Sequence, residues 1–158
     1  MKATTLIALI GISILANLTS VRAENLGAEL RKSGWDRIIG TWIDPETNGR
    51  MHRVSYRWKY KDQVIEITNG EVLKETTALM GRNPKSGEIF HVAADNEGGS
   101  SIGKWTFEND EFVAGLLFVT GTGEEGILQI RHNLINDDTL AVTIALPKPI
   151  TFKLERLK

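Results

Sequence analysis

The chain has no cysteine, only four prolines and, beyond residue 23, no apolar run long enough to cross a membrane as a helix. Without cysteine there can be no disulfide, no thiolate metal site and no lipid-attached N-terminus of the bacterial lipoprotein kind. Stability must come from burial and sheet pairing. Charge of one sign is also missing: 19 Lys and Arg stand against 20 Asp and Glu. With no basic cluster, nucleic acid and anionic membrane surfaces are poor partners. Neither a Gly-x-Ser-x-Gly elbow nor a His-Glu-x-x-His helix is present, which lowers the case for an enzyme. The carboxylates decide nothing, because acid pairs can always be assembled from 20 of them.

What is present begins with the N-terminus. Lys2 supplies a basic start, Leu6 to Leu15 is apolar, and Val21-Arg22-Ala23 places small residues at the −3 and −1 positions. This is the plan of a secretory signal peptide over residues 1–23, cut after Ala23. The alternative is an uncleaved anchor, since Ala3 to Val21 is uncharged. Asn17, Thr19 and Ser20 break that run, however, and leave it short of the roughly 20 residues that a span prefers. The expectation is export, to a periplasm or outside the cell, with no stable membrane insertion after cleavage. Cleavage removes Lys2 and Arg22 and no acid, so the mature chain is mildly acidic.

Residues 24–39 read as a short helical cap, with Leu26, Leu30, Trp35, Ile38 and Ile39 apolar and Ser33-Gly34 interrupting. A series of strands then opens on Ile39-Gly40-Thr41-Trp42-Ile43. His52, Val54, Tyr56, Trp58 and Tyr60 alternate with Arg53, Ser55, Arg57, Lys59 and Lys61, one face largely aromatic and the other mostly cationic. Lys61-Asp62 is a turn, and Asn69-Gly70 is a hairpin signal. Further turns at Asn83-Pro84, Asn96 to Ser100, Asn109-Asp110, Gly121 to Gly126 and Asn136 to Asp138 separate apolar segments. Pro147 and Pro149 fall between the last two strands, where a missing N–H is harmless. About ten strands at roughly 12-residue spacing, without helices between them, predict an all-β fold. A sandwich is the alternative. An antiparallel up-and-down β-barrel over residues 40–158 is favoured, because closure removes two sticky edges.

Gly40-Thr41-Trp42, Tyr56-Arg57-Trp58, Asn83-Pro84-Lys85-Ser86-Gly87 and Gly103-Lys104-Trp105 together resemble the lipocalin and calycin superfamily of ligand-binding barrels. More closely, they resemble a group of exported bacterial lipocalin-like domains that has no agreed activity. The resemblance spans nearly the whole mature chain through short motifs. It implies a barrel and suggests a cavity. Two departures stand out: no helix pair follows the first strand, as it does in cytosolic fatty-acid carriers, and no Thr-Asp-Tyr-like motif occurs. The late arginine that such barrels stack over their Trp corresponds to either Arg156 or Arg131.

A ten-stranded barrel is wider than the eight-stranded ones that hold one small ligand. If the His52, Tyr56, Trp58 and Tyr60 face points inward, it forms an apolar wall with polar tips for a small hydrophobic ligand. The competing reading makes those rings plain core, and Trp105, Phe107, Phe112, Leu116 and Phe118 read as packing. An inward Arg131 would clamp a carboxylate, although the opposite face of its strand is the apolar one. The cationic row Arg53, Arg57, Lys59 and Lys61 would serve an interaction domain instead. Related haem barrels use one axial histidine. A lone histidine on a strand, such as His52, His91 or His132, is more often simply hydrogen-bonded. No histidine pair has zinc spacing, and no cofactor is implied. Gly121 to Gly126 matches G-x-G-x-x-G but leads into a strand and carries Glu124 and Glu125, so it is no phosphate loop. Asp95, Asn96 and Glu97 lack the ligand count of a calcium loop.

Overall fold

A computed structural model describes residues 24–70 and 74–158; the signal peptide expected over residues 1–23 lies outside them. Ten antiparallel strands close into a barrel in sequence order. They are β1 (Gly40–Ile43), β2 (Arg53–Tyr60), β3 (Val64–Gly70), β4 (Glu75–Arg82), β5 (Ile89–Asp95), β6 (Ser100–Glu108), β7 (Glu111–Val119), β8 (Glu125–Asn136), β9 (Thr139–Ala145) and β10 (Ile150–Arg156). Every strand pairs with its sequence neighbour, and β1 meets β10 at Trp42↔Arg156 and Ile43↔Glu155. Closure satisfies backbone groups that two free edges would have left exposed.

The turns follow local chemistry. Asn109 and Asp110 both adopt positive φ, at 50° and 66°, between the paired Glu108 and Glu111. This is the mirror-image two-residue turn that Asn and Asp tolerate best. Asn69-Gly70 is a correction: the ladder runs through both residues, with Asn69↔Thr76 and Gly70↔Glu75. The connection falls beyond them, and residues 71–73 lie outside the described part. Neither residue takes the positive φ that a tight Asn-Gly turn demands.

One end of the barrel is plugged. Helix α1 (Leu26–Ser33) starts at Asn25, whose side-chain oxygen accepts from the Ala28 N–H at 2.9 Å, and stops at left-handed Gly34. A 3-10 turn, Trp35–Ile38, follows. Leu26, Leu30, Trp35 and Ile38 are buried against the barrel core. The Trp42 indole N–H donates to the Ile38 carbonyl at 2.8 Å. Above the ring lies the Arg156 guanidinium, 4.2 Å from its centroid. Arg156 also donates to the carbonyls of Ile39 and Asp137, both at 2.8 Å. The late arginine over the Trp is therefore Arg156. Gly40 permits this, since its φ is 143° and a Cβ there would meet Arg156 Nη1 at 2.5 Å. Phe112 completes the plug, with ring centroids 5.4 Å from Trp35, 4.5 Å from Trp105 and 4.8 Å from Phe107.

Candidate functional site

Among the described residues, the opposite end is open. A cavity of about 540 Å³ runs from that mouth down to the aromatic plug. Its walls are mostly aliphatic or small: Val54, Ile67, Ala78, Ala93, Leu116, Leu128, Ile130 and Val142 all line it. Alternation decides this, because inward positions two residues apart on successive strands share one face of the sheet. The mouth carries His52, Arg53, Asn69, Lys74, Asp95 and Thr120.

Deep in the cavity the apolar wall is interrupted by a polar group: Tyr56, His91, Trp105 and His132, with Ser101 higher on the wall. His132 is buried, with Nδ1 at 3.1 Å from the Phe112 carbonyl and Nε2 at 3.0 Å from the Tyr56 hydroxyl. A carbonyl can only accept, so Nδ1 carries the proton and Nε2 accepts from Tyr56. The His91 ring is fixed by the reverse logic. The Trp105 indole N–H, which can only donate, reaches His91 Nδ1 at 3.2 Å, so the His91 proton sits on Nε2. Its partner there is Ser101 Oγ at 3.5 Å, beyond the usual range for such a bond.

Burial sets the charge of this floor. It pushes both His91 and His132 down to about 4, so both rings are neutral at pH 7. Burial likewise raises the Tyr56 hydroxyl well above its ordinary value, which keeps it a protonated donor. At the mouth, Lys74 meets Asp95 at 3.0 Å and Glu97 at 3.4 Å. That pairing raises Lys74 and lowers Asp95. The Asp95 carboxylate also accepts the Glu97 and Gly99 N–H groups, so it organises its own turn.

The residues expected on the pocket wall divide. His52 and Tyr56 line the cavity, His52 near the mouth with its ring 4.1 Å from Phe152. Trp58 does not; it is half-buried against the core, with Lys61 Nζ 5.6 Å from its ring. Tyr60 is 63% exposed. The register shifts between Trp58 and Tyr60, and this bulge breaks the period-two alternation and turns Tyr60 outward. Arg131 lies outside the cavity, its guanidinium 2.8 Å from Glu111 and 3.3 Å from Glu108. Its neighbours Ile130 and His132 take the inward positions instead.

His91, His132, Ser101 and Trp105 escaped the sequence reading as wall residues. The available signal was parity across paired strands: His91 and Trp105 share the inward face of β5 and β6 with Ile89 and Gly103. Leu116 and Phe118, read as packing, also line the cavity. Among the described residues, no group of three or more His, Asp or Glu side chains converges as a metal site would. The chain matches no model of a known protein family. No curated protein is significantly similar to it in sequence.

Proposed function

We propose that the protein is an exported, lipocalin-like barrel that binds a small, mostly apolar molecule. The observation that carries this reading is the 540 Å³ cavity, open at one end and lined mainly by aliphatic side chains. That volume and make-up suit a small-molecule site with a few polar anchors. His52 and Tyr56 belong to its wall. The signal-like N-terminus supports export. Non-denaturing mass spectrometry on protein recovered from a bacterial periplasm tests the binding reading. A bound mass released on mild activation is the expected result. A clean apo mass that persists after incubation with lipid extract would remove it.

A second reading, an interaction domain working through its outer face, has its own observation. Val92, Ile102, Leu117 and Ile127 are directly paired across β5, β6, β7 and β8. They are 40%, 60%, 58% and 81% exposed. Contiguous apolar rows of this kind mark contact surfaces more often than do scattered single residues. A barrel without free edges cannot extend its sheet into a partner's, and a second copy of this row would be self-complementary. Sedimentation equilibrium checks this: a dimer that Ile102→Glu converts to monomer is the expected outcome. A monomer at all concentrations would discard it.

A further inference from the structure

The polar floor says more about the ligand than the cavity volume does. Three of its polar atoms are committed within the protein: the two His132 ring nitrogens go to Phe112 and Tyr56, and Trp105 spends its only donor on His91. One donor is not well used. Among the described residues, His91 Nε2–H faces only Ser101 Oγ, at 3.5 Å, and both side chains line the cavity. His91 itself is only 7% exposed. A buried donor held by so long a contact gains from any acceptor placed nearer. The Ser101 hydroxyl can rotate its own proton toward the same acceptor.

The charge pattern then narrows the class. Neither buried imidazole supplies a positive charge, and the Tyr56 proton is given to His132. Of the cations at the mouth, Lys74 is already matched by Asp95 and Glu97, which leaves solvent-exposed Arg53 at the rim. A carboxylate on the floor would be a buried anion without a countercharge, which is strongly disfavoured. A neutral carbonyl or ether oxygen carries no such penalty.

We infer that the ligand is an uncharged, largely hydrocarbon molecule whose acceptor oxygen seats on His91 Nε2–H and the Ser101 hydroxyl, its apolar body extending past Ala78, Ala93 and Leu116 toward the mouth. This rests on the reading of the cavity as a binding site. It assigns His91 and Ser101 the discrimination between an oxygenated ligand and a plain hydrocarbon.

Calorimetric titration at pH 7.5 with three probes of equal chain length, decan-2-one, decane and decanoate, tests it. Decan-2-one is expected to bind at least tenfold tighter than decane, and decanoate no tighter than decane. His91→Leu should abolish the preference of ketone over alkane. His91→Gln should retain it, because an amide can accept from Trp105 and still donate to the ligand. His91→Leu strands the Trp105 N–H and risks misfolding. Ser101→Ala is therefore the independent variant, and it should cut the preference several-fold without a change in thermal stability. Equal binding of ketone and alkane overturns the inference, as does tightest binding by decanoate or an undiminished preference in Ser101→Ala and His91→Leu. If none of the three probes binds, the carrier reading fails and takes this inference with it.

Discussion

Phe112 and Phe118 stand on the same face of β7, yet one end of the strand is solid and the other hollow. Phe112 is fully buried among Trp35, Trp105 and Phe107. Phe118 is half-buried on the cavity wall and lies over Gly126, where a Cβ would come within 2.6 Å of its ring. Strand geometry is common to both ends; what differs is what enters the barrel. At the closed end, α1 and the turn after it bring in Leu26, Leu30, Trp35 and Ile38, and inward strand positions carry large side chains such as Trp105, Phe112, Ile65, Met80 and Leu140. At the open end no segment among the described residues covers the mouth, and inward positions such as Thr76, Ala93 and Ser101 are small. Packing is concentrated at one end and empty volume at the other.

The largest test exchanges the same side chain at both ends. Phe112→Ala removes a fully enclosed ring and leaves a void, and should cost about 3–5 kcal/mol. Phe118→Ala only enlarges a cavity that already exists, and should cost about 1 kcal/mol or less. Urea denaturation of the two variants measures the difference. Equal costs would mean that the open end is as tightly packed as the closed one.

The buried histidines sharpen the comparison through pH. His91 and His132 ionise near 4 in the folded chain and near 6.5 when unfolded. Between those values the unfolded chain binds more protons, so stability is complete above about pH 6.5 and falls as pH drops toward 4. The loss is at most about 3 kcal/mol per histidine. Carboxylates such as Asp95, held below the ordinary range by Lys74, add a loss of the same sign only at lower pH. Denaturant midpoints between pH 6.5 and 5 therefore isolate the histidines. The double variant His91→Gln, His132→Gln should flatten that segment, and a slope unchanged by it would mean that other groups carry the acid sensitivity.

Arg156 tests the closure itself. Its guanidinium stacks on Trp42 and also ties the C-terminal end of β10 to the carbonyls of Ile39 and Asp137. Arg156→Lys keeps the charge but loses the planar fork, and should cost about 2 kcal/mol. Full stability of that variant in urea would leave the stacked geometry without an energetic role.

How much of this was legible in the sequence depends on whether the signal was local. The ten strands, the closure and the cap over residues 24–39 could be read from alternation, turn residues and the Ser33-Gly34 break. The resemblance to lipocalins implied an arginine stacked over the Trp, and two were available; only the β1–β10 pairing selects Arg156 over Arg131. Tyr60 was misplaced because a one-residue bulge leaves no mark on an alternating pattern. The polar floor was hidden for a different reason. Tyr56, His91 and His132 come from β2, β5 and β8, and their meeting depends on barrel curvature and register, which no single segment encodes. The empty volume is less legible still, since it depends on which large side chains are absent from the mouth end.

The smallest expected change in stability carries the most information about function. Ala114 is fully buried and faces the cavity from β7, and Ala78 does so from β4. Enlarging a small residue in a packed core usually costs about 1–3 kcal/mol. Here the added side chain enters existing space and gains apolar burial, so Ala78→Leu and Ala114→Leu should shift stability by less than about 1 kcal/mol. Each should nevertheless weaken binding of an apolar probe at least tenfold, because the added atoms occupy the probe's volume. Thermal melts paired with probe titration on the same samples decide the matter. Lost binding with unchanged melting places the ligand in the open half of the barrel. Unchanged binding would show that the cavity is not where apolar molecules go, and attention would pass to the exposed row of Val92, Ile102, Leu117 and Ile127.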